Sequence, residues 1–315
     1  MKTILAGDIG GTKSLLGVFE NGELRQHRRL INADFSDFSE VIAAFLSDVG
    51  MSGSHVDGGC LALAGPIGDD GTRAKLTNLP WTIDSSILAT RFGLPVLHLA
   101  NDFAAAALGA VTSRPTQLLT LQHGEPLVTA PHLVVGAGTG LGMALVLPEG
   151  NGWRIVPGEG GHAAFAPADA GQAALWKFLH EIHGRVSWER VVSGPGLAAI
   201  HAFVSQGAAT SDPEAISTKA LDDPSSTAGR ALELFLAAYG SFAGDMALTS
   251  LPRGGVYLAG GIAAKVLSAL QRGPFLPAFN AKAEHSALVA KIPVYVALDP
   301  ELGLHGAARL ALSTQ

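Results

Sequence analysis

Thr3-Ile-Leu-Ala-Gly-Asp-Ile-Gly-Gly-Thr-Lys-Ser-Leu-Leu-Gly-Val-Phe19 is an apolar strand, a glycine turn and a second strand. Asn21-Gly22 follows, a strong two-residue hairpin signal, so a third antiparallel strand is expected over Leu24 to Leu30. Beyond it Phe35, Phe38, Val41, Ile42, Phe45, Leu46 and Val49 recur at helical spacing and bury one face. Cys60 to Ala64 and Val96 to Ala100 read as buried strands, the second running into a helix through Phe103-Ala-Ala-Ala-Ala-Leu108. The order then returns. His132-Leu-Val-Val-Gly-Ala-Gly-Thr-Gly-Leu-Gly-Met-Ala-Leu-Val-Leu147 is again strand, glycine turn, strand, and Asn151-Gly152 supplies a second hairpin turn before Trp153 to Val156. Two copies of one α/β unit are implied.

The remainder extends the second copy. Leu232, Phe235, Leu236, Tyr239, Phe242, Ala243 and Met246 form a helical stripe, followed by a strand at Gly255 to Ala259 and the turn Gly260-Gly261. A strand over Pro293 to Leu298 precedes a short final helix from Gly303. The domain boundary is expected near Ala110 to Pro115, and Gly207 to Thr227 reads as an exposed surface excursion.

At 315 residues the chain has room for about two domains, and an apolar share of 48% gives each a proper core. The charge is only −6, with no basic block to neutralise a run of phosphates, which argues against nucleic acid as a partner. The single cysteine, Cys60, excludes an internal disulfide and suits a reducing cytoplasm. Pro126 to Pro148 carries no formal charge and is long enough to span a bilayer, but four glycines and Pro131 make it two strands around a turn. The N-terminal apolar run is broken by Asp8, well short of a secretory signal. No membrane association and a cytoplasmic location are therefore expected.

Several short motifs carry chemistry. Asp8-Ile-Gly-Gly-Thr-Lys13 sets a carboxylate at a strand end, then backbone free of side chains, then a hydroxyl and an ammonium. Such a turn lets N–H groups approach phosphate oxygens, and Asp8 can hold a hydrated Mg²⁺ against them; the bland alternative is a tight turn. Gly136-Ala-Gly-Thr-Gly-Leu-Gly142 repeats the logic without the acid, and a strand rather than a helix follows, so it is no Rossmann fingerprint. At Ala259-Gly-Gly-Ile262 a side chain on Gly260 or Gly261 would fill space that a base or ribose could use, against the alternative of ordinary close packing. Asn101-Asp102 sits where a strand ends and a helix starts; both residues are favoured caps, yet a carboxylate there could take a proton from a substrate hydroxyl. Pro157-Gly-Glu-Gly-Gly-His162 presents a carboxylate and an imidazole, groups that suit sugar hydroxyls, in a glycine-rich loop. Glu189 reads locally as no more than a helix-surface acid.

Taken together and in order, these segments resemble the ATP-dependent bacterial glucokinase family, the branch without the cysteine-rich zinc motif. The resemblance also covers Gly65-Pro-Ile67, Leu76-Thr-Asn78 with Trp81, Ser193-Gly-Pro-Gly196 and Gly303-Leu-His-Gly-Ala-Ala308. It implies an α/β two-domain actin-like ATPase fold, a duplicated ribonuclease H-like unit with a central interdomain cleft. Residues 1–110 and 301–315 would form the small domain, and 111–300 the large one. It implies transfer of the γ-phosphoryl of ATP to the 6-hydroxyl of D-glucose, with Mg²⁺, and it suggests a homodimer. By the same resemblance Asp102 is the general base, Asn101 a ligand of neighbouring hydroxyls, and Glu159, His162 and Glu189 the far wall of the sugar site. Asp8, Gly10, Gly11, Thr12, Lys13, Gly138 and Thr139 would hold Mg-ATP phosphates, with Gly260 and Gly261 beside the adenosine.

Three rivals stand beside that reading. One is a kinase for another hexose. A sugar-sensing regulator on the same fold would commonly carry an N-terminal helix-turn-helix, for which a strand starting at Thr3 leaves no room. An actin-like filament protein would not need Glu159, His162 and Glu189 around a pocket.

Overall fold

A computed structural model describes residues 2–76, 79–207 and 212–313. The chain divides into two compact units, one formed by residues 1–112 with 301–315 and the other by 113–300. The first contains β1 (Thr3–Ile9), β2 (Lys13–Glu20), β3 (Glu23–Ile31), α1 (Phe38–Asp48), β4 (Gly58–Leu63), β5 (Arg73–Lys75), β6 (Thr82–Asp84), α2 (Ser85–Phe92), β7 (Leu97–Asn101) and α3 (Asp102–Val111). The second contains β8 (Leu118–Gln122), β9 (His132–Ala137), β10 (Leu141–Glu149), β11 (Gly152–Gly158), α4 (Ala170–His183), α5 (Gly194–Val204), α6 (Pro213–Asp222), α7 (Thr227–Ser250), β12 (Gly255–Ala259), α8 (Gly261–Lys265), α9 (Leu267–Arg272), α10 (Phe275–Asn280), α11 (Ser286–Val289) and β13 (Val294–Ala297). The chain then returns to the first unit as α12 (Leu302–Ser313).

The two sheets repeat one plan. The first runs β3-β2-β1-β4-β7 and the second β11-β10-β9-β12-β13, with β8 added at its edge. In each, the first three strands are antiparallel neighbours and the next two continue in parallel with the first. Parallel central strands are covered on both faces, which is why they appear in the sequence as unbroken apolar runs. In β1, Leu5 and Ile9 face α1 through Val41, Ile42 and Phe45, while Ile4 and Ala6 face Leu304, Ala307, Ala308 and Ala311 of α12. Cys60 belongs to this second layer, and burial pushes its thiol up to about 12. In the other unit Leu133, Val135 and Ala137 of β9 and Val256 and Leu258 of β12 pack with Phe235, Tyr239 and Phe242 of α7. The Tyr239 hydroxyl donates to the Val135 carbonyl at 3.3 Å. Among the described residues α7 is the helix long and apolar enough to cross a membrane, and two thirds of that stretch is buried in this core.

Several expectations are corrected. The second hairpin turn is Gly150-Asn151, not Asn151-Gly152: Glu149 pairs with Gly152, and Gly150 takes the left-handed position at φ 56°. Phe35 lies outside α1, because Asp37 caps the helix by accepting from the N–H groups of Ser39 and Glu40. The final helix is not short, with 12 residues from Leu302. Pro157 and Gly158 belong to β11 rather than to the loop that follows. The expected excursion over Gly207 to Thr227 contains α6, whose Ile216 and Ala220 are buried against the core. Thr77 and Asn78 of the Leu76-Thr-Asn78 motif lie outside the described residues.

Candidate functional site

Parallel pairing brings the carboxyl ends of β1, β4 and β7 level, with Asp8 opposite Ala62 and Leu63 opposite Asn101. Open α/β sheets present ligand-binding groups at such an edge. Asp8 is largely withdrawn from water; burial first, then the neighbouring Asp102 charge, push its carboxyl from 3.8 to about 6, against a pull downward from Arg29. Burial also raises Asp102, opposed by the bond its Oδ1 accepts from the Phe103 N–H at 2.7 Å. Asn101 is the N-cap of α3, its Oδ1 accepting from the Ala104 N–H at 3.0 Å. The capping reading of Asn101 is therefore correct as far as its oxygen goes.

The first glycine turn is closed on itself. Gly10 N–H donates to the Lys13 carbonyl at 3.0 Å, so this donor is already engaged. Asn32, buried just after β3, holds the turn from behind: its Nδ2 donates to the Gly10 carbonyl at 2.9 Å and its N–H to the Thr12 carbonyl at 3.0 Å. Its Oδ1 accepts from the Ser14 hydroxyl at 2.7 Å. Nothing in the apolar periodicity marks Asn32, and the sequence reading missed it. Thr12 and Lys13 are exposed.

The copy in the second unit is built alike. Gly138 N–H donates to the Gly140 carbonyl at 2.8 Å, and the Gly138 carbonyl accepts from Gly194 N–H, in the first turn of α5, at 2.7 Å. No atom lies within 4 Å of where a Cβ on Gly138 would stand, and the same is true of Gly261, so both leave open space over the backbone. Gly260 differs: at φ 83°, with a Cβ that would stand 2.5 Å from the Ala137 carbonyl oxygen, it is required by close packing on β9.

Glu189 is the largest departure from the local reading. It lies on the single 3-10 turn Trp188–Arg190, and its Oε2 accepts from the Leu141 N–H at 2.9 Å, directly over Gly140. Its Oε1 is 4.0 Å from Nδ1 of His162, whose Nε2 is 3.7 Å from Oε2 of Glu159. Glu159, His162 and Glu189 thus come together, as the sequence distance between them did not reveal. Arg185 donates to the His162 carbonyl at 2.8 Å, and Gly161 lets this loop pass against the backbone of Leu141. The described residues hold no cluster of three or more His, Cys, Asp or Glu side chains able to cage a metal. A cation that keeps most of its water and needs one or two carboxylates beside phosphate oxygens, as Mg²⁺ does, fits Asp8 and its neighbour Asp102.

Twin five-strand units, each ending its first strand in a glycine turn, define the duplicated actin-like ATPase class, and comparison with known proteins agrees. The glucokinase family model matches residues 5–314, and the chain belongs to the glucokinase family. It is 38% identical over 342 residues to a glucokinase of Nostoc sp., covering 99% of both chains. The crystal structure of a glucokinase from an Antarctic psychrotroph matches with a TM-score of 0.89 at 29% identity, covering 99% of each chain. A ROK family glucokinase from Streptomyces griseus, solved with glucose and AMPPNP, shares the fold with a TM-score of 0.66 at 20% identity over 99% of each.

Proposed function

We propose that this protein transfers the γ-phosphoryl group of ATP to the 6-hydroxyl of D-glucose. The observation that carries the reading is the pair of neighbouring carboxylates at the edge of the first sheet, both raised by burial and Asp8 further by the Asp102 charge, in a chain that matches glucokinases over its full length. Complexes of related glucokinases with glucose and with glucose plus AMPPNP support the choice of sugar and of nucleotide.

Asp102 is the general base. Its Oδ1 is engaged by the first turn of α3, which orients the other oxygen for the 6-hydroxyl proton. Proton transfer of this kind contributes roughly 10²–10⁴-fold. Asn101 commits its oxygen to the cap, so its amide N–H₂ is what it offers a neighbouring hydroxyl. Glu159, His162 and Glu189 offer sugar hydroxyls hydrogen-bond acceptors and a donor. Because Gly10 and Gly138 use their own N–H groups to close their turns, they serve by leaving space, and the phosphate donors are supplied by Gly11, Thr12 and Thr139. Lys13 adds positive charge, and Gly261, with Gly260 holding the bend, leaves room for the adenosine. Asp8 would hold a hydrated Mg²⁺, which would supply charge compensation for a loose phosphoryl-transfer transition state.

A cytoplasmic homodimer completes the proposal; light scattering in solution tests the dimer. The reaction itself is tested by ADP release over a panel of hexoses with ATP, ADP or polyphosphate as donor. Glucose with ATP should be the best pair. A clear preference for another hexose would favour the first rival, and sugar-independent ATP turnover would favour the filament-like one.

A further inference from the structure

The segment Gly303-Leu-His-Gly, at the start of α12, has no part in the roles above. Gly303 is buried, and a Cβ there would overlap Oδ2 of Asp8, lying 2.7 Å from its Cγ and 3.2 Å from Oδ1. A tight glycine usually faces backbone, which cannot move; here the atoms in the way belong to a side chain that can. What decides the matter is whether α12 could retreat instead. Gly306, one turn further on, is packed onto the Ala105 backbone of α3, with a virtual Cβ overlapping that carbonyl oxygen and 2.5 Å from its carbon. Gly109 of α3 meets the Leu302 backbone in the same way, its Cβ 2.9 Å from the carbonyl carbon. Leu304, Ala307 and Ala311 are fully buried on the sheet. The helix is pinned at both ends of the contact, and the Asp8 backbone is fixed by pairing with Leu15 and Ala62. The one group free to yield is the Asp8 carboxylate.

We propose that Gly303 is a positioning residue of the kinase: the volume left by its missing side chain is the seat of the Asp8 carboxylate, and it fixes where that carboxylate meets the hydrated cation and the phosphates. The inference rests on the reading of Asp8 as the group that holds Mg-nucleotide. Any side chain at 303 swings the carboxylate off its seat while leaving the sheet, the helix pair and the sugar-binding residues in place.

The test combines Gly303→Ala, Asp8→Asn, Asp8→Ala and the double variant Asp8→Ala with Gly303→Ala. The half-saturating free Mg²⁺ for turnover should rise at least about tenfold in Gly303→Ala, as it does in Asp8→Asn, while the KM for glucose stays within about twofold. Calorimetric titration with ADP and Mg²⁺, without sugar, should show the same loss of affinity. Thermal unfolding supplies a reading independent of activity: Gly303→Ala should lower Tm in the wild-type background and not in the Asp8→Ala background, because the clash has gone. A Gly303→Ala chain that folds only when Asp8 is also replaced supports the proposal equally. If Asp8→Asn raises the Mg²⁺ requirement and Gly303→Ala does not, the positioning role is wrong while the reading of Asp8 stands. If Asp8→Asn leaves the requirement unchanged, the reading of Asp8 fails and this inference with it. A Tm loss of equal size in both backgrounds also overturns it.

Discussion

Oε2 of Glu189 accepts the backbone N–H of Leu141 at 2.9 Å, while Oε1 of the same carboxylate stands 4.0 Å from the His162 imidazole. One side chain therefore joins the second glycine turn to the residues proposed to bind sugar, within a single unit of the fold. Gly140 is the weak point of that link, since a Cβ there would stand 2.6 Å from Oε2. Gly140→Ala should push Glu189 off the Leu141 N–H and raise the KM values of glucose and ATP together. Loss of a charge-assisted bond of about 1.5–3 kcal/mol sets the scale at roughly ten- to hundredfold. Gly138→Ala, facing open space, should affect ATP and leave glucose alone. Steady-state kinetics on the two variants decides the point; equal effects on both substrates in both variants would disprove the link.

Asp102→Asn keeps the shape and the acceptor for the Phe103 N–H but removes the base. Turnover should fall by at least about 10² while glucose binding, followed by calorimetry, stays within a few-fold. Activity close to wild type would reduce Asp102 to a residue of the first helical turn.

The raised carboxyl of Asp8 makes a prediction about pH in the absence of metal and nucleotide. Its value rises from 3.8 to about 6 on folding, so the folded state holds the proton more tightly than the unfolded chain. The stability this gives is complete below about pH 3.8 and is lost as pH rises through about 6, an effect of about 3 kcal/mol. Asp8→Asn cannot ionise, so in EDTA its stability relative to wild type should improve between pH 4.5 and pH 8. Denaturant midpoints at the two pH values measure this, and a difference independent of pH would contradict it. Burial raises Asp102 as well, so the acid limb of kcat/KM should lie above the ordinary carboxylate range.

Asn32→Ala removes the amide that ties Gly10 and Ser14 together behind the first turn. A buried partner, Ser14, and a half-buried one, the Gly10 carbonyl, lose their bonds, the buried loss being about 1–3 kcal/mol. The KM for ATP should rise with little change in that for glucose, and the melting temperature should fall. A variant with unchanged nucleotide affinity would show that the turn holds itself.

The strands and turns were readable because buried parallel strands are unbroken apolar runs and because glycine turns punctuate them in the same order twice. Asn21-Gly22 was readable for a local reason: both residues take positive φ, at 52° and 83°. The second hairpin slipped by one residue because Gly150 takes the left-handed conformation ahead of Asn151. The helix α6 was hidden by its Ser, Thr and Asp content, although Asp212-Pro213 is a start signal in plain view, with Asp212 accepting from the N–H groups of Glu214 and Ala215. Asn32 and the inner oxygen of Glu189 gave no such sign. A buried polar side chain is placed by partners far along the chain, 48 residues away for Glu189 and Leu141, and no local pattern carries that information.

The return of α12 to the first unit has a consequence for how the molecule is made. The ribosome delivers β1 to α3 first, then the whole of residues 113–300, and only then the helix that covers Ile4, Ala6, Cys60 and Ala62. At roughly 5–20 residues per second that interval lasts on the order of ten seconds or more. For its duration one face of the first sheet is covered only in part, by Ala105 of α3, and Asp8 lacks the wall that Gly303 provides. The second unit, contiguous in the chain, has no such wait. The nascent chain thus carries a finished half and a half that waits on α12, and a release cut short at Pro300 would leave Ile4, Ala6, Cys60 and Ala62 without that helix, a hydrophobic surface for chaperones to find.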